Sequence, residues 1–485
     1  MRKSKSKYVI LLTIDALRKE SLKSYDYHRN TAPNLEKFVK NGTIFLNAYA
    51  NGPDSPSSFS AIFTSTLPFL NGGYSPLPSQ KKTFPEILKK RGIFTYCIHD
   101  NPFLGKRFNY NRGFNIFLEG HENKLTKKHN ITQKKEFTKF SLLLQIKKFI
   151  NYKNILEKIK NLLFGFDNIR NWIIYTLSGL TNKLFSLITF EFNAPLISRK
   201  IINFFKKFDG NLFLFAHFMD VHNPYNPPKK NLLKFRKKNI NVRERDLLCN
   251  KIFLNFRKYK IDTKILNILI DLYDGGINFV DKYLLKIFKT IKAKLKDNCL
   301  IIITSDHGEA FYEHELLHHT GNIYDEILKV PLFMIDLGKK NSIKFSEEPV
   351  QLIDLAPTIL DYFGLEIPKY FQGISLLPLL KGNSINREEF IIAEAYQKNG
   401  EIRRNENDGF KLISIRKNNW KYIFNEEINK EYIFDLKSDP YEKTNLLKEK
   451  ESILTTFRNF LRQHLRQIID STEKSKILDV IHKIE

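Results

Sequence analysis

The sequence predicts an α/β fold: a large, doubly wound, mostly parallel sheet with helices on both faces, followed by a small carboxy-terminal antiparallel sheet. Three observations predict it. The runs YVILLTI, NLFLFAHFMD and CLIIITSDH are almost unbroken apolar stretches, the pattern of strands buried on both faces under helices. Two of these runs stop at ligand-type residues, Asp15 and Asp306–His307, and the third at Asp220 with His222 just beyond; open α/β sheets carry their sites at the carboxyl ends of strands. Finally, the long runs give way beyond Ile385 to the shorter FIIAEAY, KLISIRKNNWKYIFN and EYIFDL, which suit hairpins. The expected organisation is a main domain over residues 1–384 with a basic helical insertion at about 122–193, then an α+β subdomain and basic helical tail over 385–485.

The elements follow in order. YVILLTI is the first strand and FPEILKK an amphipathic helix; GIFTYCIHDNP is a strand ending in His99 and Asp100. Between about 122 and 193 the composition shifts to Lys, Asn, Phe, Leu and Ile, with apolar residues near helical spacing. This insertion reads either as helices packed on the main domain or as a basic amphipathic surface lying on an anionic membrane. Its longest charge-free part, NWIIYTLSGLTN, falls short of the ~20 residues a span needs. SRKIINFFKKF and YDGGINFVDKYLLKIFKTI are further helices, the latter scaffold, and His217 inside its apolar strand reads as a core residue. Asp354 is expected to cap a helix with Pro357 in its first turn.

With 485 residues, 42% of them hydrophobic, the chain can bury a large core. Its 79 Lys+Arg against 52 Asp+Glu give a formal net charge of +27, which suits anionic partners without choosing among them. Much of the excess fits a lysine bias in an Ile- and Asn-rich chain, and no nucleic-acid partner is expected. Cys97, Cys249 and Cys299 lack CxxC spacing, which argues against a disulfide framework or a zinc site. The basic amino terminus leads into an apolar run too short for a secretory leader. No signal peptide or transmembrane span is expected, and the location is expected to be cytoplasmic, with the insertion as the candidate for peripheral membrane contact.

Asp306 and His307 set a hard oxygen and an imidazole nitrogen side by side, and Gly308 permits the backbone path that aims both at one point. Glu309, His314, His318 and His319 follow; four of the twelve histidines fall in this one loop, which marks it as ligand-bearing rather than merely solvated. Around Asp15 stand Leu17, Arg18, Tyr25, Thr31, Pro33, Asn34 and Leu35, and then the Ser-rich DSPSSFSAIFTS. This order resembles the amino-terminal signature of the sulfatase family in the alkaline phosphatase superfamily. The resemblance recurs at Asp220, His222, Pro224 and Tyr225, at the HTG element of His319, and at Trp420, Lys421, Tyr422, Asp435, Asp439, Pro440, Glu442 and Asn445.

The resemblance implies one divalent cation (Ca²⁺, Mg²⁺ or Mn²⁺) held by Asp15, Asp306 and His307 that activates a nucleophile, either Ser55 or a bound water, with His222 and His319 binding the substrate's oxygens or assisting the leaving group. His318 competes with His319, and His314 is expected to support the loop. The chain departs from the family where the nucleophile loop usually reads Cys-x-Pro-Ser-Arg, its Cys converted to formylglycine. Here Ser55 takes the nucleophile position and Phe59 the arginine's; a register one residue earlier would place Asp54 there, with Pro56 on the motif proline. No formylglycine is expected. The plainer reading is that Pro56 to Ser60 caps a helix beginning near Phe59. Ala16 replaces the usual second amino-terminal Asp, and no counterpart of the family's substrate-binding lysines is apparent.

The function so implied is a metal-dependent hydrolase of sulfuric esters acting on an anionic ester, a sulfated or phosphorylated glycan or a lipid-linked molecule. The missing Cys and Arg support an alternative: a phosphoesterase or phosphoalkyl transferase using Ser55. A third reading, an inactive member that binds anionic glycans, is opposed by the presence of all three metal ligands.

Overall fold

Strands rich in β-branched and aromatic residues form the centre of an eight-stranded sheet in a computed structural model describing residues 6–71, 76–120, 193–252, 261–295, 297–319, 321–339, 343–386, 390–398, 401–403 and 410–472. The insertion expected at about 122–193 lies, apart from residue 193, outside the described residues. Residues 1–119 and 192–485 form one compact unit.

The large sheet comprises β1 (Tyr8–Ile14), β2 (Thr43–Phe45), β4 (Phe94–His99), β5 (Ile116–Glu119), β6 (Leu212–Phe218), β7 (Cys299–Thr304), β8 (Leu332–Asp336) and β9 (Lys344–Ser346), in the order β5-β4-β6-β1-β7-β8-β2-β9. β3 (Ala48–Tyr49) and β10 (Val350–Gln351) make a separate parallel pair. From β5 to β7 all neighbours are parallel. β8 runs antiparallel to both β7 and β2, so the loop from β7 to β8 is a direct return and needs no crossover helix.

Alternation along the buried strands feeds two cores. Tyr8, Ile10, Leu12 and Ile14 face one cluster, Val9 and Leu11 the other. The first cluster is closed by helices Ala194–Lys207 and Thr263–Leu295, through residues such as Ile201, Phe205, Leu284 and Ile287. The second is closed by Ser55–Thr64, Phe84–Lys90 and Leu355–Phe363, through Phe59, Phe63, Leu88 and Ile359. Helices on both faces make the sheet doubly wound. With Pro33–Val39 added, the helices that pack on this sheet and are used below are, in chain order, α1 (Pro33–Val39), α2 (Ser55–Thr64), α3 (Phe84–Lys90), α4 (Ala194–Lys207), α5 (Thr263–Leu295) and α6 (Leu355–Phe363). Asp281 of α5 caps α1 from outside, accepting from the backbone N–H of Asn34 at 3.1 Å and of Leu35 at 2.8 Å. Asp354 precedes α6, yet its carboxylate accepts from Gln351 N at 2.7 Å and Ile374 N at 3.0 Å. It is the cap residue of α6 without a side-chain hydrogen bond to that helix; its bond to Gln351 closes a capping box on the 3-10 turn Leu352–Asp354.

The second sheet holds β11 (Phe390–Lys398), β12 (Glu401–Arg403), β13 (Phe410–Lys417), β14 (Trp420–Asn425) and β15 (Lys430–Asp435), all antiparallel, in the order β12-β11-β13-β14-β15. Helix α7 (Glu451–Thr472) covers it with Leu454, Phe457, Leu461, Leu465 and Ile468 against Ile413, Ile415, Tyr422 and Ile433, a stripe at helical spacing. Asp325, on the return loop before β8, joins the two sheets. Its Oδ1 is 2.8 Å from Lys421 Nζ, its other oxygen meets the Arg416 guanidinium, and Lys421 Nζ also lies 2.5 Å from Glu442 Oε1. These groups are buried. Burial works against the Asp325 charge, but Arg416, Lys421 and Lys329 outweigh it and hold its carboxyl well below the usual range. Asp325→Asn would leave buried cations uncompensated, and is expected to lower the unfolding free energy by about 3–5 kcal/mol. A urea titration checks this; a loss below about 1 kcal/mol would show that the network does not hold the two sheets together.

Candidate active and metal site

β1 and β7 are parallel neighbours, with Thr13 opposite Thr304, so the residues just past their ends converge. One ligand atom each from Asp15, Asp306 and His307 lies within 4.8 Å of the others, and all three residues are fully buried. His307 Nε2 is 3.6 Å from both Asp15 Oδ1 and Asp306 Oδ2, and its Nδ1 is held by Gly308 O at 2.8 Å. Gly308 is required by close approach: an added Cβ would stand 2.1 Å from Glu326 O.

These residues fit a divalent cation. Asp15 Oδ1 and His307 Nε2 are buried and have no hydrogen-bond partner, an arrangement that is unfavourable unless something between them supplies positive charge. Burial opposes protonation of His307, yet the Asp306 and Asp15 carboxylates raise it to about 9. Asp15 itself is disfavoured as an anion by burial, but His222, His217 and His307 together hold it below its ordinary value. Two carboxylates and one imidazole suit Mg²⁺, Mn²⁺ or Ca²⁺.

Ser55 is the first residue of α2, and its Oγ lies 2.6 Å from Asp306 Oδ2 and 3.2 Å from Asp15 Oδ2. The cap is Asp54, which accepts at Oδ1 from Ser57 N at 2.9 Å and Ser57 Oγ at 2.7 Å. The helix therefore begins four residues before the expected start near Phe59, because Asp54 is a better cap than the serines and Pro56 fits the first turn. Asn101, just past β4, donates from Nδ2 to Ser55 Oγ at 2.9 Å and to Asp15 Oδ2 at 3.1 Å. His217 Nε2 is 3.0 Å from the same oxygen of Asp15.

Two half-buried imidazoles stand nearer the surface. The His319 ring is 4.2 Å from that of His307 and 5.4 Å from that of His222, measured between centroids. Glu309 is fully buried and holds His319 Nδ1 at 3.1 Å through Oε1, while Tyr225 OH donates to Oε2 at 2.9 Å. Burial opposes the Glu309 charge, but His319 and His318 outweigh it and keep its carboxyl well below the usual range. His318 is buried, stacks on Tyr225 at 6.3 Å and is lowered by that burial. His314 stacks on Tyr324 at 3.7 Å and bonds Glu326 Oε1 at 2.9 Å, away from the cluster. The ring of His99 meets Phe117.

The sulfatase family model matches residues 7–365, and a second one, described as N-sulphoglucosamine sulphohydrolase, C-terminal, matches residues 313–471. The chain belongs to the sulfatase family. It is 23% identical over 474 residues to an arylsulfatase of Clostridium perfringens, covering 91% of this chain and 90% of that one. Arylsulfatase K of Rattus norvegicus is 32% identical over 188 residues, 37% of this chain and 31% of that one. The alignment with choline-sulfatase of Rhizobium meliloti likewise spans 36% of that protein. Among solved structures, one in complex with its substrate D-glucosamine-2-N,6-O-disulfate superposes with a TM-score of 0.70 at 17% identity, covering 97% of this chain and 100% of that one. A phosphonate monoester hydrolase of Agrobacterium radiobacter gives 0.67 at 16% identity, covering 95% and 96%. At these identities the superpositions establish the fold.

In this sulfatase-family hydrolase the residues named from the sequence, Asp15, Ser55, His222, Asp306, His307 and His319, come together, while Asn101 was not named and His217 was expected to be core only. Asn101 could have been found from its place two residues past the carboxyl end of β4. His217 could not: the parallel register that sets it beside Thr13 is a tertiary fact. Phe59, expected from the sequence at the family's arginine position, is fully buried against Phe63, Phe215 and His217. No helix among the described residues is long and apolar enough to cross a membrane; the membrane-surface reading falls on residues outside them.

The shifts of Glu309 and His318 have the same sign of effect on stability. Glu309, depressed on folding, stabilises above the unfolded glutamate value of about 4.3 and loses that contribution as pH falls. His318, also depressed, makes the unfolded chain bind the extra proton below about 6.5, so its contribution too is lost on acidification. The melting temperature is expected to fall as pH drops from about 7 to about 4, and Glu309→Gln to flatten the lower part of that fall. An unaltered profile in thermal melts of the variant would refute the assignment.

Proposed function

We propose that the chain hydrolyses sulfuric esters of a sulfated saccharide, with Ser55 Oγ, as an unmodified serine, acting as nucleophile. The observation that carries this reading is the position of Ser55 Oγ, 2.6 Å from Asp306 and 3.2 Å from Asp15, on the cation-binding triad of a sulfatase-family fold. The sulfated saccharide is the substrate class of the superposed structure with bound glucosamine disulfate and the class named for the Delta 4,5-hexuronate-2-O-sulfatase of Bacteroides thetaiotaomicron, 27% identical over 212 residues.

The residues divide the work. Ser55 has an acceptor for its proton in Asp306, and Asn101 donates to Oγ and fixes the direction of its remaining lone pair. The amino-terminal end of α2 favours negative charge on that oxygen. His222 and His319, at the more exposed side, bind sulfuryl oxygens and protonate the departing ester oxygen. Glu309 holds His319 by Nδ1 and leaves Nε2 for the substrate. A divalent cation held by Asp15, Asp306 and His307 would supply positive charge and lower the nucleophile's pKa. Oγ bonds to sulfur as the ester S–O bond breaks, its proton passing to Asp306; water then bonds to sulfur, giving its proton to the imidazole that protonated the leaving oxygen, and the Ser55–sulfur bond breaks as Asp306 returns the proton to Oγ.

A plain serine lacks the second hydroxyl with which a hydrated formylglycine expels sulfate, and this favours phosphate esters as a second reading. The test is a paired assay on an aryl sulfate, a sulfated glucosamine and an aryl phosphate with Mn²⁺, Mg²⁺ or Ca²⁺, beside Ser55→Ala and Asp306→Ala. Sulfate turnover is expected, falling about a thousandfold or more in both variants. Turnover surviving Ser55→Ala would replace the serine by water as nucleophile, and turnover confined to phosphate would overturn the sulfate reading. Peptide mass spectrometry across Ser55 is expected to find the unmodified residue.

A further inference from the structure

His217 lies within β6, a strand with no exposed residue, and is paired in parallel register with Thr13 of β1. Its Nδ1 is 2.7 Å from Thr13 Oγ1 and its Nε2 3.0 Å from Asp15 Oδ2. Phe59 meets the ring edge-to-face at 5.0 Å and Phe215 stacks beside it at 6.4 Å. An imidazole among aromatic rings needs both nitrogens satisfied, and here both are.

The proton positions follow from the partners. The Asp15 carboxylate can only accept, so in the neutral ring the single hydrogen sits on Nε2 and Thr13 Oγ1 donates to Nδ1. In the protonated ring both nitrogens donate, and Thr13 accepts. Either way Nε2–H is directed at Asp15 Oδ2. That oxygen then receives two donors, His217 at 3.0 Å and Asn101 at 3.1 Å, with Ser55 Oγ, whose one proton goes to Asp306, a further 3.2 Å contact, whereas Asp15 Oδ1 has no partner. The last torsion of an aspartate is broad and roughly two-fold, so an outside partner must decide which oxygen faces which way. Phe59, at the position where the resembled motif carries a donor-rich arginine, offers no hydrogen bond; the donor behind it is His217.

We propose that His217 is a positioning residue that locks the rotation of the Asp15 carboxylate, reserving Oδ1 for the cation and Oδ2 for the Ser55 pocket. This rests on the cation site of the proposed function. Partners of this kind behind a metal ligand typically change affinity 10–100-fold when removed.

The experiment is calorimetric titration of Mn²⁺ into the full chain stripped of metal by a chelator, for wild type, His217→Phe, His217→Met and His217→Gln, with near-UV circular dichroism to verify packing. His217→Phe keeps a ring against Phe59 and removes the donor, and is expected to raise the Kd for Mn²⁺ about 10–100-fold. His217→Gln, whose amide nitrogen can stand in for Nε2, is expected to recover most of the loss. A packed His217→Phe with wild-type affinity overturns the proposal, and so does a His217→Gln as weak as His217→Phe, which would mark the role as shape alone. If His217→Phe does not fold, His217→Met carries the same comparison. Wild type that binds no Mn²⁺ would remove the cation site itself and this proposal with it, whereas binding by wild type with no change in the donorless variants removes only the proposal.

Discussion

Two carboxylates, Asp15 and Asp306, are held together out of water at the ends of neighbouring parallel strands, and the rest of the structure is arranged around that electrostatic demand. Each is fully buried. Like charges so placed are tolerable only where cations, protons or donors surround them. The surrounding groups answer in kind: His307 between the two, His217, Asn101 and Ser55 on one oxygen of Asp15, and the backbone N–H of Ala16 3.3 Å from Asp306 Oδ1. Ala16 adopts a left-handed backbone, φ 55°, and Tyr273 OH donates to its carbonyl at 2.6 Å. That strained residue is held in place by the long helix α5 packed against it.

The same demand explains the division of roles between Asp54 and Ser55. A helix start must satisfy its first N–H groups, and Asp54 does so for α2, which turns its neighbour Ser55 toward Asp306. Reversing the pair would bring a third carboxylate to a pocket already negative and leave a serine to cap. Around this centre burial is graded. Asp15, Asp306 and His307 are fully buried and Ser55 nearly so, while His222 and His319 are half-buried, so the two imidazoles lie nearer solvent than the Ser55 hydroxyl. The antiparallel sheet contributes indirectly: through Lys421, Arg416 and Glu442 it holds Asp325, six residues beyond His319 on the same return loop.

Much of this was legible in the amino-acid order, and the reason is local. Apolar runs as long as those of β1 and β7 must be buried on both faces, so Asp15 and Asp306–His307 had to emerge at a strand edge, and the motif order around them resembled one family. Ser55 was singled out by aligning the chain on the ending of the family's motif, Ile62 to Ser65, and the structure sets its Oγ against Asp306 and Asp15. What the chain could not reveal by itself was anything set by register between distant strands. His217 looked like core because its own strand is core; only the alignment of β6 with β1 brings its Nε2 to Asp15. Asn101 is one more polar residue after a strand until the strand order β4-β6-β1 carries it to Ser55. The choice between His318 and His319 was likewise tertiary, decided by which ring packs on Tyr225 and which on His307. The sequence by itself thus determined the fold class and which polar residues leave the strand ends of β1 and β7, because periodicity and strand-end chemistry are short-range. Tertiary structure alone decided which oxygen of Asp15 is left without a hydrogen-bond partner and which buried donors hold the other, because hydrogen-bond partners far apart in the chain are set by packing.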